Sequence, residues 1–162
     1  MQAVPDRRWA NIVGRMTPDG VEMMSFAQLA DLAAEWEGIV APQPAELDGP
    51  THLLRMARSL FAHSWFDYEF MTVACLLGFQ AMEASFRALY PEPEGRPLLK
   101  LVNQAEREAI LPGNIAELAR TGVELRNRYS HPRTQPVLTV GMAAPMLENT
   151  HRLVALVLSA VK

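Results

Sequence analysis

The sequence predicts an all-α protein: a bundle of about four helices preceded by one shorter helix. Three observations carry that prediction. Apolar residues recur at steps of three and four over long stretches, the period of one helix face. Prolines fall between those stretches, where they stop helices rather than break them. No long segment alternates apolar and polar residues as a half-buried strand does; only a short run at Val137–Val140 comes near. With 162 residues, 49% of them hydrophobic and 20% charged, the chain has the length of one ordinary domain and the apolar content for a core.

Residues 1–50 read as a proline-rich acidic extension with one short helix. They contain Pro5, Pro18, Pro42, Pro44 and Pro50, and three arginines against eight acids, a balance of −5. Ser25 is placed to cap a helix to about Glu37, with Phe26, Leu29, Leu32 and Trp36 on one face. Trp9, Ile12 and Val13 form a small apolar cluster expected to pack on the body. The stretch 41–50 reads as a linker. A lid, a partner-binding arm and simple decoration all fit this extension.

Residues 51–162 carry the bundle, with twelve bases against ten acids, a balance of +2. From Thr51, a candidate cap, to Tyr90 there is no proline and only Gly78. Leu54, Phe61, Trp65, Tyr68, Cys75, Phe79, Met82, Phe86 and Leu89 keep one helical phase, with Arg58 and Thr72 filling the gaps. That predicts one very long helix at about 51–90, or two nearly collinear ones bent near His63–Trp65. Gln80, Glu83 and Arg87 form a polar stripe on it, either a solvated face or a cleft-facing one. Pro97 opens a helix to about Glu108 through Leu98, Leu101, Val102 and Ala105. After Pro112-Gly113, Asn114 and Glu117 resemble a capping box and open a helix at about 114–131. An irregular turn leads to a C-terminal helix at about 145–161 through Leu147, His151, Val154, Leu158 and Val161.

Chemistry concentrates at Glu124-Leu125-Arg126-Asn127-Arg128-Tyr129-Ser130-His131-Pro132. Leu125 and Tyr129 continue the seam from Ile115, Leu118 and Gly122, and Pro132 stops the helix. Between Arg120 and Arg133 four arginines face one glutamate, a balance of +3 on a chain of net charge −3. Such a patch can hold phosphate locally without general nucleic-acid affinity. Arg126 and Ser130 share a face, as do Asn127 and His131. Arg126 and His131 differ by about 140° on a regular helix, so they converge only if the helix end unwinds or a second chain supplies the partner group.

Arg126, Asn127 and His131, with the Leu-Arg-Asn opening, Tyr-Ser before the histidine and the helix-ending proline, resemble the Arg-x(4–6)-His signature of HEPN domains. The likeness covers roughly residues 51–162. The same spacing at Arg58–His63 lacks the asparagine and the helix stop, and is read as coincidental. The resemblance implies an up-down helical bundle, a homodimer and a metal-independent endoribonuclease acting on RNA, as a toxin or defence effector with a cognate antitoxin. It places Arg126 on the phosphate, His131 as acid or base, and Asn127 as a positioning group. Arg128, Ser130 and Arg133 support them, and Glu83, in its Met-Glu-Ala-Ser-Phe-Arg context, fixes Arg126 or Asn127. The products would be a 2′,3′-cyclic phosphate and a 5′-hydroxyl. The alternatives are a non-catalytic nucleotide- or RNA-binding module and a regulatory dimer that uses the acidic extension as its partner surface.

The remaining residues limit other chemistries. There is no zinc-type Cys/His cluster, glycine-rich phosphate loop or nucleophile elbow, so no metal and no cofactor is expected. His52, His63 and His151 stand apart, His63 within reach of Asp67 and His151 beside an apolar seam. The lone Cys75 reads as inert packing and suits a reducing compartment. With no long apolar run in Met1 to Gly14 and no span of membrane-crossing length, a cytoplasmic protein is expected.

Overall fold

A computed structural model describes residues 4–9, 14–17, 20–91, 95–130 and 137–161; the side chains of 14–17 and 20–22 are not among those described. Helices dominate. In chain order the elements are β1 (Gly14–Thr17), β2 (Gly20–Met23), α1 (Phe26–Glu35), α2 (Asp48–His63), α3 (Glu69–Leu89), α4 (Leu98–Arg107), α5 (Gly113–Tyr129) and α6 (Val140–Ser159). Short 3₁₀ turns at Glu37–Ile39 and Ala45–Leu47 join α1 to α2. The all-α bundle predicted from the apolar periodicity is present.

The stretch read as one long helix is two, and they fold back on each other as the most extensively packed pair in the chain. The unbroken phase from Leu54 to Leu89 comes from two separate apolar faces. The turn between them is closed locally. The Ser64 hydroxyl donates to the Phe61 carbonyl at 2.6 Å, and the Asp67 carboxylate accepts from the Glu69 amide at 3.1 Å. It is also closed from a distance. The Asp6 carboxylate accepts from the Tyr68 amide at 2.9 Å, while the Asp6 amide donates to the Trp65 carbonyl. Arg8 bridges Asp6, Asp67 and Glu69. Its guanidinium beside Asp6 holds that carboxyl well below the usual carboxylate range.

α3 is the central helix, contacting α2, α4, α5 and α6. Its first half, with Met71, Ala74, Cys75 and Phe79, joins a cluster holding Trp9, Leu29, Trp36, Phe61, Tyr129 and Leu138. Its second half, with Ala81, Met82 and Phe86, joins a cluster from α4, α5 and α6, including Leu101, Ala119, Val154 and Val157. Residues before Thr51 therefore contribute to the core: Trp9 is buried, and its indole donates to the Met24 carbonyl at 2.9 Å. Ile12 and Val13 lie outside the described residues. α6 crosses α3 closely at Gly78, where an added Cβ would meet Leu147 Cδ2 at 3.1 Å.

Several boundaries differ from the sequence reading. Ser25 caps α1 as expected, in a full capping box with Gln28. Thr51 is not a cap: α2 begins at Asp48, and the Thr51 hydroxyl bonds Asp48. Asn114 and Glu117 form no capping box, since α5 starts at Gly113 after Pro112 with no side-chain cap. α6 begins at Val140, not Pro145, which sits inside the helix and removes one amide donor; the run at Val137–Val140 forms no strand. β1 and β2 pair antiparallel, Gly14 opposite Met23 and Thr17 opposite Gly20. The sequence predicts neither strand.

The close α3–α6 approach generates a test. Gly78→Val overpacks this crossing and is expected to cost about 1–3 kcal/mol of stability, read as a lower urea midpoint at unchanged m-value.

Candidate functional site

The motif occupies the last turns of α5. Of its expected apolar seam, Gly122 and Tyr129 are buried and Ile115 and Leu125 half-buried, but Leu118 is exposed, and Val123 is buried instead; Tyr129 stacks on Phe79 at 6.2 Å between ring centroids. Gly122 leaves no room for more, because an added Cβ would meet Met82 Sδ at 3.2 Å. That anchorage sets the azimuth of the next residues. Asn127 and Arg128 project into solvent, while Arg126 is turned along the body.

Arg126 is received by α3. Its Nη2 lies 2.5 Å from Glu83 Oε2, and Arg87 Nη2 lies 2.6 Å from Glu83 Oε1, so one carboxylate holds two guanidinium groups. The Glu83 side chain is only 16% exposed and that of Arg126 34%, so water screens the contact partly. Arg126 Nη1 also reaches Asn127 Oδ1 at 3.4 Å. The polar stripe thus makes both contacts weighed for it: the Glu83–Arg87 pair along α3, and a bridge to the motif. Two cations against one carboxylate leave this cluster at +1.

The helix ends at Tyr129. The Ser130 amide and hydroxyl both donate to the Arg126 carbonyl, at 3.0 and 2.8 Å. His131 and Arg133 lie outside the described residues. The chain is fixed again on the far side, where Leu138 is fully buried and its carbonyl accepts from the Tyr68 hydroxyl. So the structure brings together Glu83, Arg126, Asn127 and Ser130, with Arg128 exposed on the same turn.

The other histidines have structural partners. His52 Nδ1 lies 2.6 Å from Arg55. The expected His63–Asp67 pair does not form: His63 donates to the Ser59 carbonyl at 2.8 Å and packs on Phe26, while Asp67 turns to Arg8. His151 is fully buried, its ring 5.7 Å from that of Trp36. Its Nδ1 meets the Leu147 carbonyl at 2.7 Å and must carry the proton there; Nε2, the acceptor, faces Arg58 Nη1 at 3.4 Å. The fold agrees that the Arg58–His63 spacing is coincidental: His63 turns to Ser59, while Arg58 meets His151, 93 residues away. Burial and the Arg58 charge depress the His151 pKa to about 4, against the backbone bond that raises it. Burial pushes the Cys75 thiol up to about 12, consistent with inert packing.

Among the described residues, no group of three or more His, Cys, Asp or Glu is placed to hold a metal ion, and no helix is long and apolar enough to cross a membrane. Comparison with protein-family models, curated proteins and solved structures returns no match. What the fold and site define is a class: an α-helical bundle with an arginine-rich helix end clamped by a carboxylate of its central helix.

Two outcomes test this geometry. In a double-mutant cycle of Glu83→Gln and Arg126→Gln, each single change lowers stability and the coupling is about 1–2 kcal/mol; a coupling near zero removes the clamp. For His151, the folded pKa of about 4 lies below the ordinary histidine value of 6.5, so the unfolded chain binds the extra proton first. The stabilisation is complete above about pH 6.5 and is lost as pH falls towards 4, a swing of about 3 kcal/mol. Denaturant midpoints should fall across that window, and His151→Gln should flatten the slope there.

Proposed function

We propose that the chain is a HEPN-like, metal-independent endoribonuclease acting as a homodimer. The observation that supports it most is the Glu83–Arg126 contact at 2.5 Å, which fixes an arginine beside Asn127 at a helix end that Ser130 and His131 follow in the sequence. RNA carries its own nucleophile, so cleavage needs a proton-transfer group, a cation on the phosphate and correct placement. His131 has a side chain whose ordinary pKa lies near working pH. One His131 takes the proton of the 2′-OH as the 2′-oxygen attacks phosphorus. A second, from the partner copy, protonates the departing 5′-oxygen as the P–O5′ bond breaks. Arg126 binds the phosphate through the donors that Glu83 leaves open, and Arg128 and Arg133 add positive field.

The dimer gains apolar area from a groove between α5 and α6, floored by Phe79 and Met82 and walled by Leu118, Leu125, Met146 and Leu153. Its location beside the motif would set two helix ends near one axis. The proposed setting is a cytoplasmic one, with an antitoxin partner for an effector of this kind.

A second reading is a non-catalytic RNA- or nucleotide-binding module. The Glu83 carboxylate favours it, because it already occupies the cation that must meet phosphate.

Incubation of the purified protein with a mixed RNA pool in EDTA separates the two. The expected result is cleavage with 2′,3′-cyclic phosphate ends, by a species that sediments as a dimer. His131→Ala should lower the rate at least about 100-fold. Cleavage that requires an added divalent ion sinks the mechanism; salt-dependent binding without cleavage selects the second reading.

A further inference from the structure

A second polar site lies about Arg58, away from the motif. The Arg58 side chain is 16% exposed, yet its partners are poor. A guanidinium carries five N–H donors. Among the described residues, Arg58 meets one acceptor, His151 Nε2, at 3.4 Å. The nearest carboxylate oxygen, on Glu37, is 3.9 Å away on a side chain that is 76% exposed. A pair so long and so wet contributes little. His151 stays neutral and offers no charge. Desolvation outweighs the Glu37 charge and lowers the Arg58 pKa, as expected of a cation taken from water without a close counter-ion.

This arginine lines a pocket of about 360 Å³ between α2 and the stretch from Glu37 to Gln43. α2 contributes Thr51, Leu54, Arg55 and Arg58, and the facing stretch contributes Val40 and Pro42. Asp48 also lines the pocket; its carboxylate accepts from the Thr51 hydroxyl at 2.7 Å and keeps its charge, so an anion must be held by the two arginines against it. Arg55 gives one nitrogen to His52 at 2.6 Å and keeps its other donors. Two guanidinium groups with spare donors therefore border one cavity, and Glu37, the carboxylate nearest Arg58, is 3.9 Å away and 76% exposed, a weak contact for a ligand to displace.

We propose that this pocket binds a small oxyanion, a carboxylate or a phosphate, through Arg58 with help from Arg55. The oxygens would supply the short charge-assisted contacts that Arg58 lacks. His151 is a positioning residue here: its lone pair holds the inner edge of the guanidinium and leaves the outer edge to the ligand. The site is independent of the ribonuclease reading.

The experiment is thermal unfolding of the full chain titrated with sodium phosphate and, separately, sodium acetate, against sodium chloride at matched ionic strength. A rise of about 3–6 °C at ten times Kd, growing with the logarithm of anion concentration above it, is expected for at least one of the two anions, and which one responds identifies the ligand class. Arg126→Gln should keep the response and Arg58→Gln should lose it. Ala41→Glu, on an exposed position lining the same pocket, sets a rival carboxylate at the mouth and should weaken affinity at least tenfold even if Arg58→Gln fails to fold. A rise no larger than with chloride overturns the proposal. So does a response that survives in Arg58→Gln or is unchanged in Ala41→Glu, or one that disappears in Arg126→Gln.

Discussion

The burial of α3 constrains everything else. Four helices pack on its 21 residues and leave one exposed stripe, Glu69, Val73, Gln80 and Arg87. Away from that stripe the helix has to be apolar. Where it is not, at Glu83, the carboxylate is mostly withdrawn from solvent and must find cations nearby. Arg87 is one, a turn away on the same helix. Arg126 is the other, and it comes from α5. The need to compensate one carboxylate in the middle of the bundle thus fixes the side chain around which the motif is built.

The same logic explains the opposite end of α3. A tight reversal after α2 exposes backbone donors at the start of α3, and these need acceptors. Asp67 supplies one locally, and Asp6 supplies another from the chain's beginning. Residues near the N-terminus therefore close the helical hairpin, and Trp9 fills the core beside it. An extension that looks like decoration in its composition is joined to the bundle by hydrogen bonds and by buried aromatic surface.

Two arginines of the molecule differ in environment. At the end of α5, Arg126 is partly exposed beside exposed Asn127 and Arg128, at a place a phosphate can reach. At Arg58 and His151, the imidazole is sealed in the core and held neutral, so it has no part in proton transfer near pH 7. Arg58 and His151 lie 93 residues apart and meet only through packing, whereas Arg126 and His131 are five apart in the sequence.

The sequence by itself determined the helical class, most helix positions and the basic helix end, because periodicity, capping at Ser25 and the stops near Pro91, Pro112 and Pro132 act over a few residues. It also made Glu83 a candidate, since Gln80, Glu83 and Arg87 break an apolar pattern locally. Only the tertiary structure decided that residues 48–89 turn back on themselves. Two antiparallel helices with inward apolar faces give the same phase as one long helix, and the closing acceptor, Asp6, lies some sixty residues from the turn. The partner of Arg58 was likewise a tertiary matter: no local pattern named one, and packing brought in His151 from the last helix. Contacts between residues distant in the chain depend on how whole faces pack, and no local pattern encodes that.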